Sequence, residues 1–166
     1  FLLLPAVVSA QQVAIETAAS KIDELIYYDS LDEALLQVEA GLENISSKPK
    51  NSKEAKHKIK LELHKAYILA RKNQISQALQ LALEINDQAK RYQLPEYEYR
   101  SNLFIETMYE HSSDFKLCRK YLDLAQEVYL NYNLDSIYSV YCVRIASYFR
   151  LTNQIDSALM YAQKAK

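Results

Sequence analysis

Residues 73–79 read NQISQAL and residues 153–159 read NQIDSAL, with SDFKLCR at 113–119 midway between them. Ala78, Cys118 and Ala158 therefore recur at intervals of forty residues, and Tyr92-Gln93-Leu94 returns forty residues later as Tyr132-Asn133-Leu134. Self-similarity at such a spacing marks stacked supersecondary units that bury their apolar faces against one another. Ala34, in LDEAL, holds the same slot one unit earlier at an interval of forty-four, the extra residues falling in the polar stretch 45–52. Insertions belong in such loops.

One Gly and three Pro in 166 residues leave few tight turns, and the rest is rich in good helix formers. An all-α fold follows. The pattern predicts helices at 11–28, 30–44, 53–72, 74–91, 96–112, 114–131, 136–152 and 154–166, grouped as four helical pairs: 11–44, 53–91, 96–131 and 136–166. Turn and cap residues mark the junctions: Asp29 or Ser30, Asn73, Pro95, Ser113-Asp114, Asn133 with Asp135, and Asn153. Within 74–91, Ile75, Ala78, Leu79, Ala82, Ile85 and Ala89 share one face. The helix at 136–152 is apolar almost all round, so it needs cover on two sides. The final helix stops thirteen residues in, whereas its counterpart runs from 74 to 91, so the last pair reads as truncated.

The first ten residues, FLLLPAVVSA, read as the C-terminal end of a signal peptide: an apolar core, Pro5, then small residues at Val8-Ser9-Ala10. Export follows as an expectation, to a bacterial periplasm or cell envelope. Cys118 and Cys142 replace apolar residues on the forty-residue grid, so buried free thiols are expected, and their spacing fits no zinc or redox motif.

Composition argues against several chemistries. With Gly41 as its single glycine, the chain cannot build a phosphate-cradling loop or a nucleophile elbow. His57, His64 and His111 lack metal-ligand spacing. No enzyme, cofactor or metal is expected. Charge is uneven: 11–45 holds eight acids and only Lys21, while 46–74 holds nine Lys or Arg against Glu54 and Glu62. The basic run lacks interleaved aromatics, so it reads as a solvated loop and helix face rather than a nucleic-acid patch.

On these slots the chain resembles the tetratricopeptide repeats, in a long form of forty residues. The family pattern places a small residue, an aromatic and two alanines on each pair. Ala146, Phe149, Ala158 and Ala165 match it well, Ala66, Leu69, Ala78 and Ile85 partly, and Glu106, Tyr109, Cys118 and Ala125 with a departure at Glu106. The chain has no Trp for the family's fourth position. The resemblance implies an α-solenoid of stacked antiparallel helical hairpins in a right-handed superhelix.

It also implies a groove lined by the first helix of each pair. Carried onto this sequence, the groove positions are Lys60, His64, Tyr67 and Arg71, then Arg100, Phe104, Thr107, Glu110 and His111, and finally Arg144, Ser147 and Arg150. Cations beside aromatics suit an acidic protein or peptide segment, because guanidinium groups grip carboxylates bidentately. Arg71, Arg100 and Arg144 are expected to form a ladder of cations not fully neutralised within the chain, with Glu110 as the candidate partner for one of them. The forty-residue form is similar to the exported sensor arrays of bacterial signal transducers, which implies a membrane tether outside 11–166. An envelope assembly scaffold without signalling output is the alternative.

Overall fold

The computed structural model describes residues 20–165, and these are all-helical. The signal-like segment 1–10 lies outside the described residues. In chain order the helices are α1, described over 20–27, α2 (Leu31–Glu43), α3 (Ser52–Arg71), α4 (Ile75–Arg91), α5 (Pro95–His111), α6 (Phe115–Tyr132), α7 (Tyr138–Leu151) and α8 (Ile155–Lys164). A short 3₁₀ turn, Asp135–Ile137, leads into α7. From α2 onward, each helix meets its chain neighbours, and the odd-numbered helices also meet one another, α3 touching α5 and α5 touching α7.

The forty-residue period has a direct backbone counterpart. Asp29, Asn73, Ser113 and Asn153 all take left-handed conformations with φ of 57–60°. In each case the next residue does double duty. The Gln74 amide reaches back to the Leu69 carbonyl at 2.8 Å, while the Gln74 carbonyl accepts from the Ala78 amide at 3.0 Å. Ser30, Asp114 and Gln154 make the same pair of bonds. One residue thus closes one helix in a Schellman arrangement and opens the next, satisfying groups that helix ends leave orphaned. Ala34, Ala78, Cys118 and Ala158 are the residues whose amides complete that turn, which is why they recur in register. Gln93 and Asn133 are left-handed in the same way between pairs.

Other starts use side chains. Asn51 accepts from the Glu54 amide at 2.9 Å, Asp114 accepts from the Leu117 amide at 3.0 Å, and Pro95 sits in the first turn of α5. Each of these is a favoured N-terminal device.

The buried residues fall into clusters along the chain. Ile22, Ile26, Ala34, Val38, Leu61 and Ile68 join the first pair to α3. Ile59, Ala66, Ile85, Ala89 and Tyr97 join α3, α4 and α5. Tyr99, Leu103, Leu122, Ala125, Tyr141, Cys142 and Ile145 join α5, α6 and α7. Between α4 and α5 lies a buried polar knot, in which the Asn86 amide nitrogen donates to Ser101 Oγ at 2.9 Å and Asn102 Oδ1 at 3.0 Å. The tyrosine-rich second half stacks into a continuous run, with Tyr129 on Tyr138 at 4.3 Å between ring centres, then Tyr141, Tyr161 and Phe149. Polar tips stay bonded: Tyr141 donates to Gln126 and Tyr129 to Asp135. Both cysteines are buried and unpaired, and burial pushes the Cys118 thiol up to about 11.

Two expectations are corrected. The basic stretch is not simply a solvated face, because His64, Lys65, Arg71 and Lys72 pair with Asp23, Glu39, Asp29 and Asp32 of the first helical pair. The two oppositely charged blocks thus face each other across α1, α2 and α3. Exposed pairs of this kind contribute about 0–1 kcal/mol each, against roughly 1.5–3 kcal/mol for each large apolar side chain buried. The apolar cluster holds the first pair on, and the ion pairs fix its register. Secondly, α7 packs against α5, α6 and α8, but the two-sided cover expected of it is incomplete, for Val140 and Val143 remain 47% and 56% exposed. No helix among the described residues packs on that far side, and α8 likewise has no buried residue.

Candidate functional site

A groove of about 870 Å³ runs across α1, α3, α5 and α7, with Ile137 of the 3₁₀ turn at one end. The even-numbered helices contribute nothing to its lining. The reason is local. The first-helix positions stand in columns one repeat apart: Lys60, Arg100 and Val140 form one, and His64, Phe104 and Arg144 the next. Stacking like pairs in register brings each column onto one wall.

Of the residues named from sequence, Lys60, His64, Tyr67, Arg71, Arg100, Phe104, Thr107 and Arg144 line this groove. Glu110, His111, Ser147 and Arg150 do not. His111 is exposed at the end of α5 with Nδ1 on the Thr107 carbonyl at 2.8 Å, and Ser147 donates to Glu110. Arg150 is exposed in the last turn of α7. Sequence reasoning missed Asp23, Ile26, Tyr27, Leu63, Glu96, Tyr97, Tyr99, Leu103, Ile137 and Val140. A signal for some was present, since the forty-four-residue offset carries Tyr67 and Arg71 onto Asp23 and Tyr27.

The expected ladder of free arginines is absent, because every rung has a carboxylate. Arg71 binds Asp29 at 2.7 Å and Arg100 binds Glu96, one helical turn away, at 3.0 Å. Arg144 reaches across to α5, donating from Nε to Glu106 at 2.7 Å and from its terminal nitrogen to Glu110. Glu110 is the partner expected from sequence and Glu96 lies one turn from Arg100 on the same helix, whereas Asp29 and Glu106 reach their arginines from other elements, which a face-by-face reading of single helices cannot anticipate. Lys60 has no ion-pair partner among the described residues, and His64 meets Asp23 through Nε2 at 2.9 Å while its Nδ1 is buried without one.

These pairs differ in how firmly they are held. Asp29 is 70% exposed and Arg71 41% exposed. Glu106, by contrast, is fully buried and Arg144 mostly so. Water already competes for the first pair, so a ligand carboxylate can replace Asp29 at small cost. The Arg144 pair cannot be exchanged without stranding a buried charge.

At the α5–α7 end the apolar and aromatic residues Tyr97, Tyr99, Leu103, Phe104, Ile137 and Val140 stand beside the paired Glu96–Arg100, Thr107 and Arg144. Burial pushes the Tyr97 and Tyr99 phenols up, Tyr99 strongly, so both stay neutral. Tyr99 donates to the Ile137 carbonyl at 3.1 Å, pinning the turn that leads into α7. No cluster of His, Cys, Asp and Glu arranged to hold a metal ion occurs among the described residues, and no helix there is long and apolar enough to cross a membrane. Set against protein-family models, curated proteins and solved structures, the chain matches none of them.

Proposed function

We propose that the chain is a non-enzymatic scaffold, a tetratricopeptide-like right-handed solenoid, that holds a protein or peptide segment along this groove. The single observation that supports the reading most is the groove's lining by α1, α3, α5, α7 and the turn before α7, with nothing from the even-numbered helices. A groove that crosses four helices, with Lys60 and the exposed Arg71 on α3 and most of its apolar lining on α5 and α7, suits an extended segment better than a compact metabolite. The favoured occupant carries carboxylates toward Lys60 and Arg71 and apolar side chains toward Phe104 and Val140.

A fluorescently labelled acidic–aromatic peptide, its basic–aromatic counterpart and an acidic peptide without aromatics test this by anisotropy. The first should bind best, more weakly as salt rises, since exposed charges are screened over about 10 Å at 0.1 M. Arg71→Ala and Phe104→Ala should each weaken it. Preference for the basic peptide, or indifference to both substitutions, would overturn the reading.

On the signal-like first ten residues and the resemblance to exported repeat arrays, we place this scaffold outside the bacterial cytoplasm, as the sensor region of a signal transducer. Fusing the N-terminal segment to a reporter active only after export tests the placement. A reporter that stays inactive would overturn it.

A further inference from the structure

Glu106 occupies a slot held by Ala66 and Ala146 in the neighbouring pairs, yet its carboxyl is fully shut off from solvent. Its Oε2 accepts from Arg144 at 2.7 Å, and its Oε1 has no partner. Glu110, one turn on, takes the other end of the same guanidinium and also accepts from Ser147 Oγ. Two carboxylates therefore share one cation, and of the three side chains only Glu106 is wholly shut off from water, Arg144 and Glu110 remaining 21% and 23% exposed. Like charges in such a site do not both ionise freely.

We propose that the Glu106–Glu110–Arg144 cluster is a proton-operated latch between α5 and α7, closed when Glu106 carries a proton and strained when it does not. With Glu106 neutral, the Arg144–Glu110 pair balances and no uncompensated charge remains. With Glu106 ionised, Arg144 still attracts it, but a full charge is then held away from water with Oε1 unpartnered, and opening the α5–α7 contact relieves that desolvation. Arg144 and Val140 line the groove, so the latch sets the position of its α7 wall.

Each element packed around Glu106 contributes differently to its surroundings. α7 supplies Arg144, and Glu110 stands on α5 itself. α6 places the Cys118 thiol against the Glu106 carbonyl, with Asp114 beyond it. α4 meets α5 through the uncharged Asn86, Ser101 and Asn102. α3 meets it through apolar packing around Phe104 and Met108. Burial raises the Glu106 carboxyl above its ordinary range; Arg144 opposes this and Glu110 reinforces it. The folded form then keeps a proton that the unfolded chain has released. The latch is tightest on the acid side and weakens as pH rises through that raised range.

Hydrogen exchange of the α7 amides, referenced to the unfolded chain at each pH, tests the latch. From about pH 4.5 to about pH 8, protection in the unmodified protein should fall by up to about tenfold per pH unit across the linkage window. In Glu106→Gln the fall should vanish. In Glu110→Gln, which removes the neighbouring charge but keeps Glu106, it should move to lower pH. Glu62→Gln is the control, since burial also raises Glu62 but on α3, and it should leave the α7 profile unchanged. Identical α7 profiles in the unmodified protein and Glu106→Gln would overturn the proposal. So would an unmoved transition in Glu110→Gln.

Discussion

Arg144 of α7 donates from Nε to Glu106 of α5 across 2.7 Å, and the carboxylate it serves is fully buried. Charges so placed are costly to bring out of water, and the pair returns that cost only while both partners remain. Arg144→Ala should therefore destabilise the fold by about 3–5 kcal/mol. The double change Glu106→Ala with Arg144→Leu, which restores Ala to the repeat slot, should recover most of that loss. Chemical denaturation of the single and double variants measures both, and equal losses in the two would contradict this account.

The left-handed residues that join the helices carry a Cβ in a conformation glycine adopts freely. The strain is roughly 1–2 kcal/mol for an ordinary side chain, and the added chain entropy of glycine takes back roughly half of any relief. Ser113→Gly and Gln93→Gly should each stabilise by about 0.5–1 kcal/mol, visible as a raised denaturation midpoint. Asn73→Gly should do less, because asparagine tolerates this region.

Ala78 is fully buried beside Leu69 and Met108, whereas Ala158 is only half-buried on α8. Ala78→Leu should overpack its contact and cost roughly 1–3 kcal/mol. Ala158→Leu should cost less than 1 kcal/mol, approximately the level of a surface change. Similar losses at the two positions would mean that α8 is as tightly enclosed as α4.

Asn86 binds Ser101 and Asn102 at once in a buried setting. Asn86→Leu leaves two polar groups without that donor, and the expected loss is about 1–3 kcal/mol. Replacing all three by apolar residues should lose less than Asn86→Leu alone, which thermal unfolding of the two proteins would reveal.

Cys118 is buried, with its thiol pushed up to about 11, so very little thiolate exists near neutrality. An alkylating reagent at about pH 8 should leave it unmodified in the folded protein and react fully after unfolding. Rapid labelling of the native protein, located by mass spectrometry, would show that α5 and α6 open far more often than their packing implies.

Much of the fold was legible because it is written in local interactions. Helix periodicity, the scarcity of glycine and the junction residues Asn73, Ser113 and Asn153 act within a few positions of themselves. The slot of Ala34, Ala78 and Cys118 could be read for the same reason, since their amides complete a turn begun four residues earlier. The groove was legible only in part. Lys60, His64, Tyr67 and Phe104 belong to columns that any in-register stack brings together. Tyr99 and Ile137 line it because α5 bonds the 3₁₀ turn before α7, and no pattern within one helix reveals that.

By itself, then, the sequence determined an all-helical chain, its repeating junctions and the faces its helices would bury, since each depends on neighbours a few residues away. Tertiary structure alone decided how the charges were used. Asp29 meets Arg71, Asp32 meets Lys72, and Glu106 meets Arg144, each across about forty residues. It also decided that Ala158, alike in sequence to Ala78, stays half open. An ion pair or a buried side chain is a property of two elements together, and the energy that selects it appears only once both are in place.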